Sequence, residues 1–501
     1  MTASYDVAIL GAGPAGCAAA TLLSQHGHSV ALVRPRTPPA AKLAESVPPS
    51  ARRILDELAL LTTVETAGVH PSRGNSVWWS GRDVRHETFA GDQPGFYVDR
   101  ASLEALLTDA AAGAGATVWE RTTARSADQT EDGWRVHCET EGRTRTELRA
   151  PWVIDCTGRH GLLARSEGRM PDRSTSTLAL VQWWRLRGGQ STELAHHTLV
   201  ESYADGWAWS VPLDAEVRCF AAMIEGHPTE QSSRTVESML RAELAKTCHV
   251  APILEGATPE GEAFACPASL YTAKRFGRPG LLLAGDAGSF IDPLSSFGVK
   301  KALFSGWLAG IVAHTAMVDS TMTDTAVRFF DRREADVYRT YRKLSADFFE
   351  VAASTYGTPY WEKRAVAARR AGGEDAGAPS DPDRLAPAVP EAEVRRAFDA
   401  IRSRMALNAR PGSTLRSIRQ PGIDGHLIVL EEHLASRAYP EGMRYVRGVD
   451  LRPLVAVAPD HADVPEAWAA YNRVAPPVTL PDYLTALATA FAAGFLEHSR
   501  D

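Results

Sequence analysis

The segment "YDVAILGAGPAGCAAATLLSQHGHSVALVRP" sets Gly11, Gly13 and Gly16 between an apolar run and a helical pattern. Glycines at this spacing let a backbone approach a pyrophosphate at a helix N-terminus, where unpaired N–H groups and the helix dipole favour negative charge. Gly11, Gly13, Ala15 and Gly16 are therefore expected to hold the phosphates of a dinucleotide. The next apolar run ends in Arg34 and Arg36 where an acid is usual. Arg34 suits either the 2′-phosphate of NADPH or stacking on adenine. Far along the chain, "ADGWAWSVPL" brings Trp207 and Trp209 two residues apart, followed by Pro212. Two indoles at that spacing share one face of a strand, where they either line an aromatic site or pack a core.

The elements that must position these residues are legible as runs. Strand 5–10, helix 14–26 and strand 29–33 open a parallel α/β domain. "FYVDRASLEALLTDAAAGAGATVWE" adds a short strand, a helix over 101–113 and a strand near 117–120. "PWVIDCTGRHG" ends a strand at Asp155 with Gly158 and Gly161 beyond, and "GRPGLLLAGDAGSFIDPLSSFGVKKALFSGWLAGIVAHTA" runs from a strand at 280–284 into a helix over 298–316. Between them, 175–275 carries alternating segments that suit a mostly antiparallel sheet. The expected fold is an α/β Rossmann-like domain (1–174, resumed over 276–355), an inserted substrate-facing sheet domain (175–275), a linker (356–386) and a mainly helical C-terminal domain (387–501). The last has helical patches at 389–404 and 482–498 and no chemical motif; a helical cap, a dimer surface or a peptide- or carrier-docking unit all suit it.

Composition narrows the class. The 501 residues carry 54 basic and 61 acidic side chains, a formal charge of −7, with no basic block, so no nucleic-acid partner is expected. Six cysteines stand too far apart for a Cys-x-x-Cys metal or redox pair, and no metal is expected. No secretory leader and no run of about 18 apolar residues is read from the sequence, which sets the expectation of a soluble, cytoplasmic protein without a membrane partner.

In the order of these signals, residues 4–350 resemble the FAD-dependent aromatic monooxygenases of the p-hydroxybenzoate hydroxylase fold, and more closely their flavin-dependent halogenase relatives. "GWAWSVP" is similar to the halogenase Trp-x-Trp-x-Ile-Pro signature, with Val211 in place of isoleucine. "FIDPLSSFGVKKA" is similar to their Phe-x-x-Pro-x-x-Ser-x-Gly loop through Phe290, Pro293, Ser296 and Gly298. The resemblance implies FAD on the Gly11–Gly16 loop, Arg100 of "YVDR" fixing the flavin, and Asp286 on the ribityl or ribose portion. It also implies Gly298 and Val299 near the flavin ring, and Glu45 of "KLAESVPPS", with Lys42 beside it, against the isoalloxazine. Trp207 and Trp209 would bound the channel between flavin and substrate, with Pro293 and Ser296 on the flavin side.

One position departs from the pattern. The halogenase lysine that carries the activated halogen falls on Ser72 in "GVHPSRGNSVWWSG", with Arg73 next to it. Serine forms no chloramine, and a guanidinium stays charged and is a poor nucleophile. The expected reaction is therefore oxygenation of an electron-rich phenol, indole or pyrrole through a flavin C4a-hydroperoxide. Trp78 and Trp79 are added as pocket-lining aromatics and His70 as a candidate base. "G-N-S-x-W" resembles lysine-lacking homologues that hydroxylate aromatic side chains in precursor peptides, which extends the substrate class to peptide- or carrier-bound rings. The alternatives are a halogenase whose lysine is displaced to Lys42, Lys300 or Lys301, an NAD(P)H-dependent flavin oxidoreductase, and a non-enzymatic FAD scaffold. Electrons come from NAD(P)H directly or through a separate flavin reductase, and O2 is the co-substrate.

Overall fold

The computed structural model describes residues 2–499 except 37–42, 82, 90, 92, 142–143, 173, 189–193, 227–234, 373–388 and 404–405. The described chain forms two compact units, 1–376 and 377–501.

The first unit is built on apolar runs that are buried on both faces, as a covered parallel sheet requires. Val7–Leu10, Val30–Val33, Trp152–Asp155 and Leu281–Leu283 pair in parallel, with Thr117–Trp119 at one edge and the antiparallel Gly277–Arg278 at the other. Their C-terminal ends lead into the Gly11 turn, the Thr157 turn and the Gly285–Ala287 turn, so the three loops gather at one edge of the sheet. A four-stranded sheet of Thr2–Ser4, Thr144–Ala150, Gly133–Thr140 and Thr122–Thr130 stands beside it.

The substrate-side sheet has seven strands in the order Thr258–Pro267, Thr177–Arg185, Val217–Glu225, Gly206–Pro212, His197–Tyr203, Gly74–Trp78 and Arg85–Thr88. It is antiparallel except where Gly74–Trp78 pairs in parallel with His197–Tyr203. Two of its strands thus come from residues that the sequence reading assigned to the FAD-binding segments. The inserted sheet is mixed and is completed by chain from before position 175, because a parallel neighbour can only be supplied by a distant segment.

Two helices meet under the nucleotide turn. Helix Pro14–Gln25 is rich in alanine and buried along most of its length. It packs on Gly298–Val318, where Gly306 comes so close that a Cβ there would lie 1.9 Å from the Ala15 carbonyl oxygen. Gly298–Val318, although interrupted by Lys300, Lys301, Ser305 and His314, is long and apolar enough to cross a membrane by length and composition. Its apolar window is 72% buried within the protein, so its hydrophobicity is used in packing. Lys300 and Lys301 near its start are buried as well. The 34-residue helix Thr323–Tyr356 follows and stops at Gly357 in the left-handed region. Pro359–Gly372 is again helical, so the linker expected over 356–386 begins in helix; its later residues from 373 lie outside those described.

The second unit has its own apolar core, centred on Tyr471, Tyr483, Leu487 and Phe495. Helices Glu391–Arg402, Leu451–Val457, Val464–Val474 and Leu480–Ala492 are joined by a long hairpin, Arg416–Asp424 with Leu427–Ala435. This region is mainly helical, and its hairpin was not read from the sequence.

The Gly306 approach leaves no room for a side chain. Gly306→Val should destabilise the protein by about 1–3 kcal/mol, seen as a lower thermal melting temperature than that of Ala313→Val, a control elsewhere on the same helix.

Candidate active site

The glycines of the first turn serve two purposes that the geometry separates. Gly11 has φ +108°, and a Cβ on it would sit 2.4 Å from the Cys156 carbonyl oxygen; one on Gly16 would sit 1.9 Å from the carbonyl oxygen of Gly11. Both are required by the fold itself. Gly13 has φ −78°, and a Cβ there would meet only Glu104 Oε1, at 3.9 Å. Its lack of a side chain leaves space at the helix start. No side chain caps the N-terminus of Pro14–Gln25, nor that of Gly298–Val318. Backbone N–H groups at both helix starts are therefore left for an acceptor from outside the helices. A turn that only glycine can close, leading to an uncapped helix start, fits a dinucleotide diphosphate.

Both helix starts border one cavity of about 160 Å³. Pro14, Asp286, Gly298, Val299 and Ala302 form its nucleotide side, with Glu45, Ser46 and Arg100 beside them. Ala179 and Val181, Ala221 and Met223, and Trp209 come from neighbouring strands of the seven-stranded sheet. The two-residue period places each pair on the same face. Pro293 and Ser296 close the wall, with Ser296 in the left-handed region at φ +54°.

The charges around this cavity are held in pairs. Arg100 Nη1 is 3.1 Å from Glu45 Oε1, and its Nε is 2.9 Å from Glu104 Oε1. Burial pushes the Glu45 carboxyl above its ordinary value, Arg100 pulls it back, and Asp286 and Glu104 add to the rise. Asp286 faces Lys301, with Oδ1 3.5 Å from Nζ, and its carbonyl accepts the Tyr271 hydroxyl at 2.6 Å. Arg34 is not at this cavity; it ends its strand and pairs with Glu120 at 3.0 Å.

Of the residues expected from the sequence, Glu45, Arg100, Trp209, Asp286, Pro293, Ser296, Gly298 and Val299 are brought together at the cavity. Trp207 is not among the lining residues. It lies buried in an apolar core, with its ring centroid 6.4 Å from that of Trp79. Trp79 donates its indole N–H to the Phe348 carbonyl, and Trp78 stacks on His249, so both are packing residues here rather than pocket walls. Ser72 is fully buried in the strand His70–Ser72, outside the lining. His70 Nε2 donates to the Ala195 carbonyl at 2.7 Å, and its ring stacks on His196. Burial holds the His70 pKa below the ordinary histidine value despite that carbonyl. Neither residue reaches the cavity. Lys42 lies outside the described residues. Lys300 and Lys301, which as displaced halogen carriers would have to reach the substrate, are buried and absent from the lining. Among the described residues no lysine lines the cavity.

Sequence reasoning missed Leu43, Ser46, Arg159 and Asp292 as lining residues. Leu43 and Ser46 flank Glu45, which was the only available signal. Arg159 lies with its guanidinium 5.1 Å from the Phe290 ring centroid, a stacking that links segments 131 positions apart and leaves no local pattern.

A family model described as "FAD binding domain" matches residues 4–303, more than half of the chain. The chain belongs to this FAD-binding family. It is a flavin-dependent oxidoreductase, and in sequence and fold it is similar to flavin-dependent halogenases. It is 26% identical over 383 residues to a tryptophan 2-halogenase of Chondromyces crocatus, covering 73% of this chain and 72% of the relative. Among solved structures, the flavin-dependent halogenase CmlS superposes with a TM-score of 0.78 at 21% identity, covering 98% of this chain and 96% of that one. The peptidyl tryptophan dihydroxylase QhpG superposes with a TM-score of 0.64 at 22% identity, covering 93% and 95%.

Two outcomes follow for this FAD-binding protein. Gly13→Val should leave the melting temperature of the flavin-free chain close to wild type while the purified protein loses most of its flavin absorbance, since the valine meets the ligand and not the fold. The second concerns pH. The folded chain binds the Glu45 proton more tightly than the unfolded chain, so this group's contribution to stability is present below the unfolded carboxylate range and lost as pH rises through the folded value. Glu45→Gln should therefore lose less stability than wild type between about pH 4 and about pH 7, read from melting temperatures across that range.

Proposed function

We propose that this enzyme uses reduced FAD and O2 to modify an electron-rich aromatic ring, with a free, peptide-bound or carrier-bound molecule as substrate. The observation that carries the reading is the single cavity that joins two uncapped helix starts to an aromatic and aliphatic wall. When bound, reduced FAD supplies the electrons that turn O2 into an electrophilic oxidant. The chain's own residues do the rest. The Gly11–Gly16 turn and the Gly298 helix start hold the cofactor's negative groups. Ala179, Val181, Ala221 and Met223 exclude water, and Trp209 presents a flat apolar surface with an indole N–H that has no hydrogen-bond partner among the described residues. A ring held on such a surface is oriented rather than activated by a base. Electrons reach the flavin from NAD(P)H, bound directly or by way of a separate flavin reductase.

The relatives favour halogen transfer over the direct hydroxylation that Ser72 by itself suggests, and halogenase-type chemistry is the leading reading. Its amine would have to come from Lys42, next to the lining residue Leu43. Direct oxygen transfer is the second reading. It is favoured by one specific observation: no lysine lines the cavity among the described residues, and the position at which the halogenase lysine falls is a buried serine.

The deciding experiment supplies reduced FAD, O2 and chloride or bromide to the enzyme with a panel of free aromatics and tryptophan- or tyrosine-containing peptides, and reads product mass. Halide-dependent gain of a halogen that disappears in Lys42→Ala supports the leading reading. Gain of one oxygen that is indifferent to halide and to Lys42 establishes the second in its place. Oxidation of reduced FAD with no change in any aromatic across the panel counts against both.

A further inference from the structure

The turn that carries Asp286 is held from below by two buried charges of opposite sign. Lys301, whose side chain is 1% exposed, donates from Nζ to the Gly285 carbonyl at 3.1 Å and to the Ser289 carbonyl. The same ammonium is 3.5 Å from Asp286 Oδ1. Its bonds therefore fall on both ends of the five-residue turn and on the carboxylate between them. From the long helix Thr323–Tyr356 comes Glu334, which is 3% exposed. Ser305 bridges it to the same turn, accepting the Gly285 N–H at 2.8 Å and hydrogen-bonding the Glu334 carboxylate. Glu334 Oε2 has no hydrogen-bond partner among the described residues. Lys301 is the largest influence that opposes the effect of burial on this acid.

A charge taken out of water is costly unless it is paired and fully hydrogen-bonded. The helix positions one turn either side of Lys301, Phe297 and Gly298 before it and Phe304 and Ser305 after it, are apolar or small and give this ammonium no charged partner within the helix. The cation instead fixes a turn whose first residue, Gly285, is in the left-handed region at φ +63° and whose second residue, Asp286, lines the cavity.

We propose that Lys301 is a positioning residue for the cofactor: together with Glu334 it sets the place and charge of the Asp286 turn, and through it the affinity and reduction potential of bound FAD. This rests on the chain's FAD binding, which the wild-type protein tests separately through its own flavin spectrum. It also removes Lys301 from the amines that can carry a halogen, since its buried ammonium donates to two backbone carbonyls and faces the Asp286 carboxylate.

The test uses the full-length protein reconstituted with FAD. Lys301→Met leaves Asp286 and Glu334 without their shared cation. It should weaken FAD binding by about tenfold or more and move the midpoint potential of the bound flavin to more negative values, because a buried positive charge favours added electrons. Lys301→Met combined with Glu334→Gln removes both buried charges and should recover part of the lost affinity. Folded Lys301→Met protein with wild-type affinity and potential overturns the proposal. So does a double variant that binds FAD no better than the single one. If Lys301→Met is insoluble, the double variant decides: soluble protein with weakened FAD binding and a shifted potential supports the positioning role. Soluble double variant with wild-type values, or an insoluble one, assigns Lys301 to the fold alone.

Discussion

The backbone of the first glycine turn is folded tightly on itself and lies in contact with two other stretches of main chain, and the placement of everything at the cavity depends on that approach. Gly11 is against the Cys156 carbonyl, Gly16 against the carbonyl of Gly11 itself, and the Ala15 carbonyl against Gly306. Each contact is closer than any side chain permits. Together they draw helix Pro14–Gln25 onto helix Gly298–Val318 and bring two uncapped helix starts to one space. An ordinary side chain at any of the three glycines would force these backbones apart.

The same closeness creates the electrostatic problem that the neighbouring residues resolve. Three acids, Glu45, Asp286 and Glu334, come together around this edge of the sheet, and burial disfavours the charged forms of Glu45 and Glu334. Each is met by a cation or a hydroxyl from one of two helices: Arg100 from the start of Arg100–Gly113, and Lys301 and Ser305, one turn apart, from Gly298–Val318. The acids and their partners are thus interlocked across the nucleotide half of the unit. A change in one is felt by the others through a medium of low polarity, where charge interactions are strong.

On the substrate side the architecture is halogenase-like, but the reacting group is chosen by side chains and not by the fold. The strand that holds Ser72 sits behind Glu45 and Ser46 through Gly95–Asp99. Tyr97 of that middle strand fills the space with a hydroxyl hydrogen-bonded to Thr198 at 3.0 Å. Around the Tyr97 hydroxyl this region is packed with Ser46, Ser72 and Thr198, and the cations that border the cavity among the described residues, Arg100 and Arg159, are guanidinium groups. The lining is thus suited to holding charge in place and to excluding water.

Much of this was legible in the chain itself. Apolar runs ending in glycine turns identify the parallel sheet, and the spacing of Gly11, Gly13 and Gly16 identifies the nucleotide site, because both are local consequences of backbone sterics and period. The halogenase-like motifs likewise placed Trp209, Pro293, Ser296 and Gly298 near one another before any coordinates. What only the tertiary structure decided are the facts that depend on which distant segments meet. Trp207 and Trp209 are equivalent in sequence, yet one is covered by Trp79 and the other faces the cavity. His70 is a chemically suitable base, but its Nε2 donates to the Ala195 carbonyl, 125 positions away, which holds the ring away from the cavity. Lys301 reads as one of two helix lysines, and only the packing of its helix against the Gly285–Ser289 turn shows that it is buried beneath Asp286. Period and spacing specify a face; which neighbour covers that face is a property of long-range packing, to which a linear pattern carries no signal.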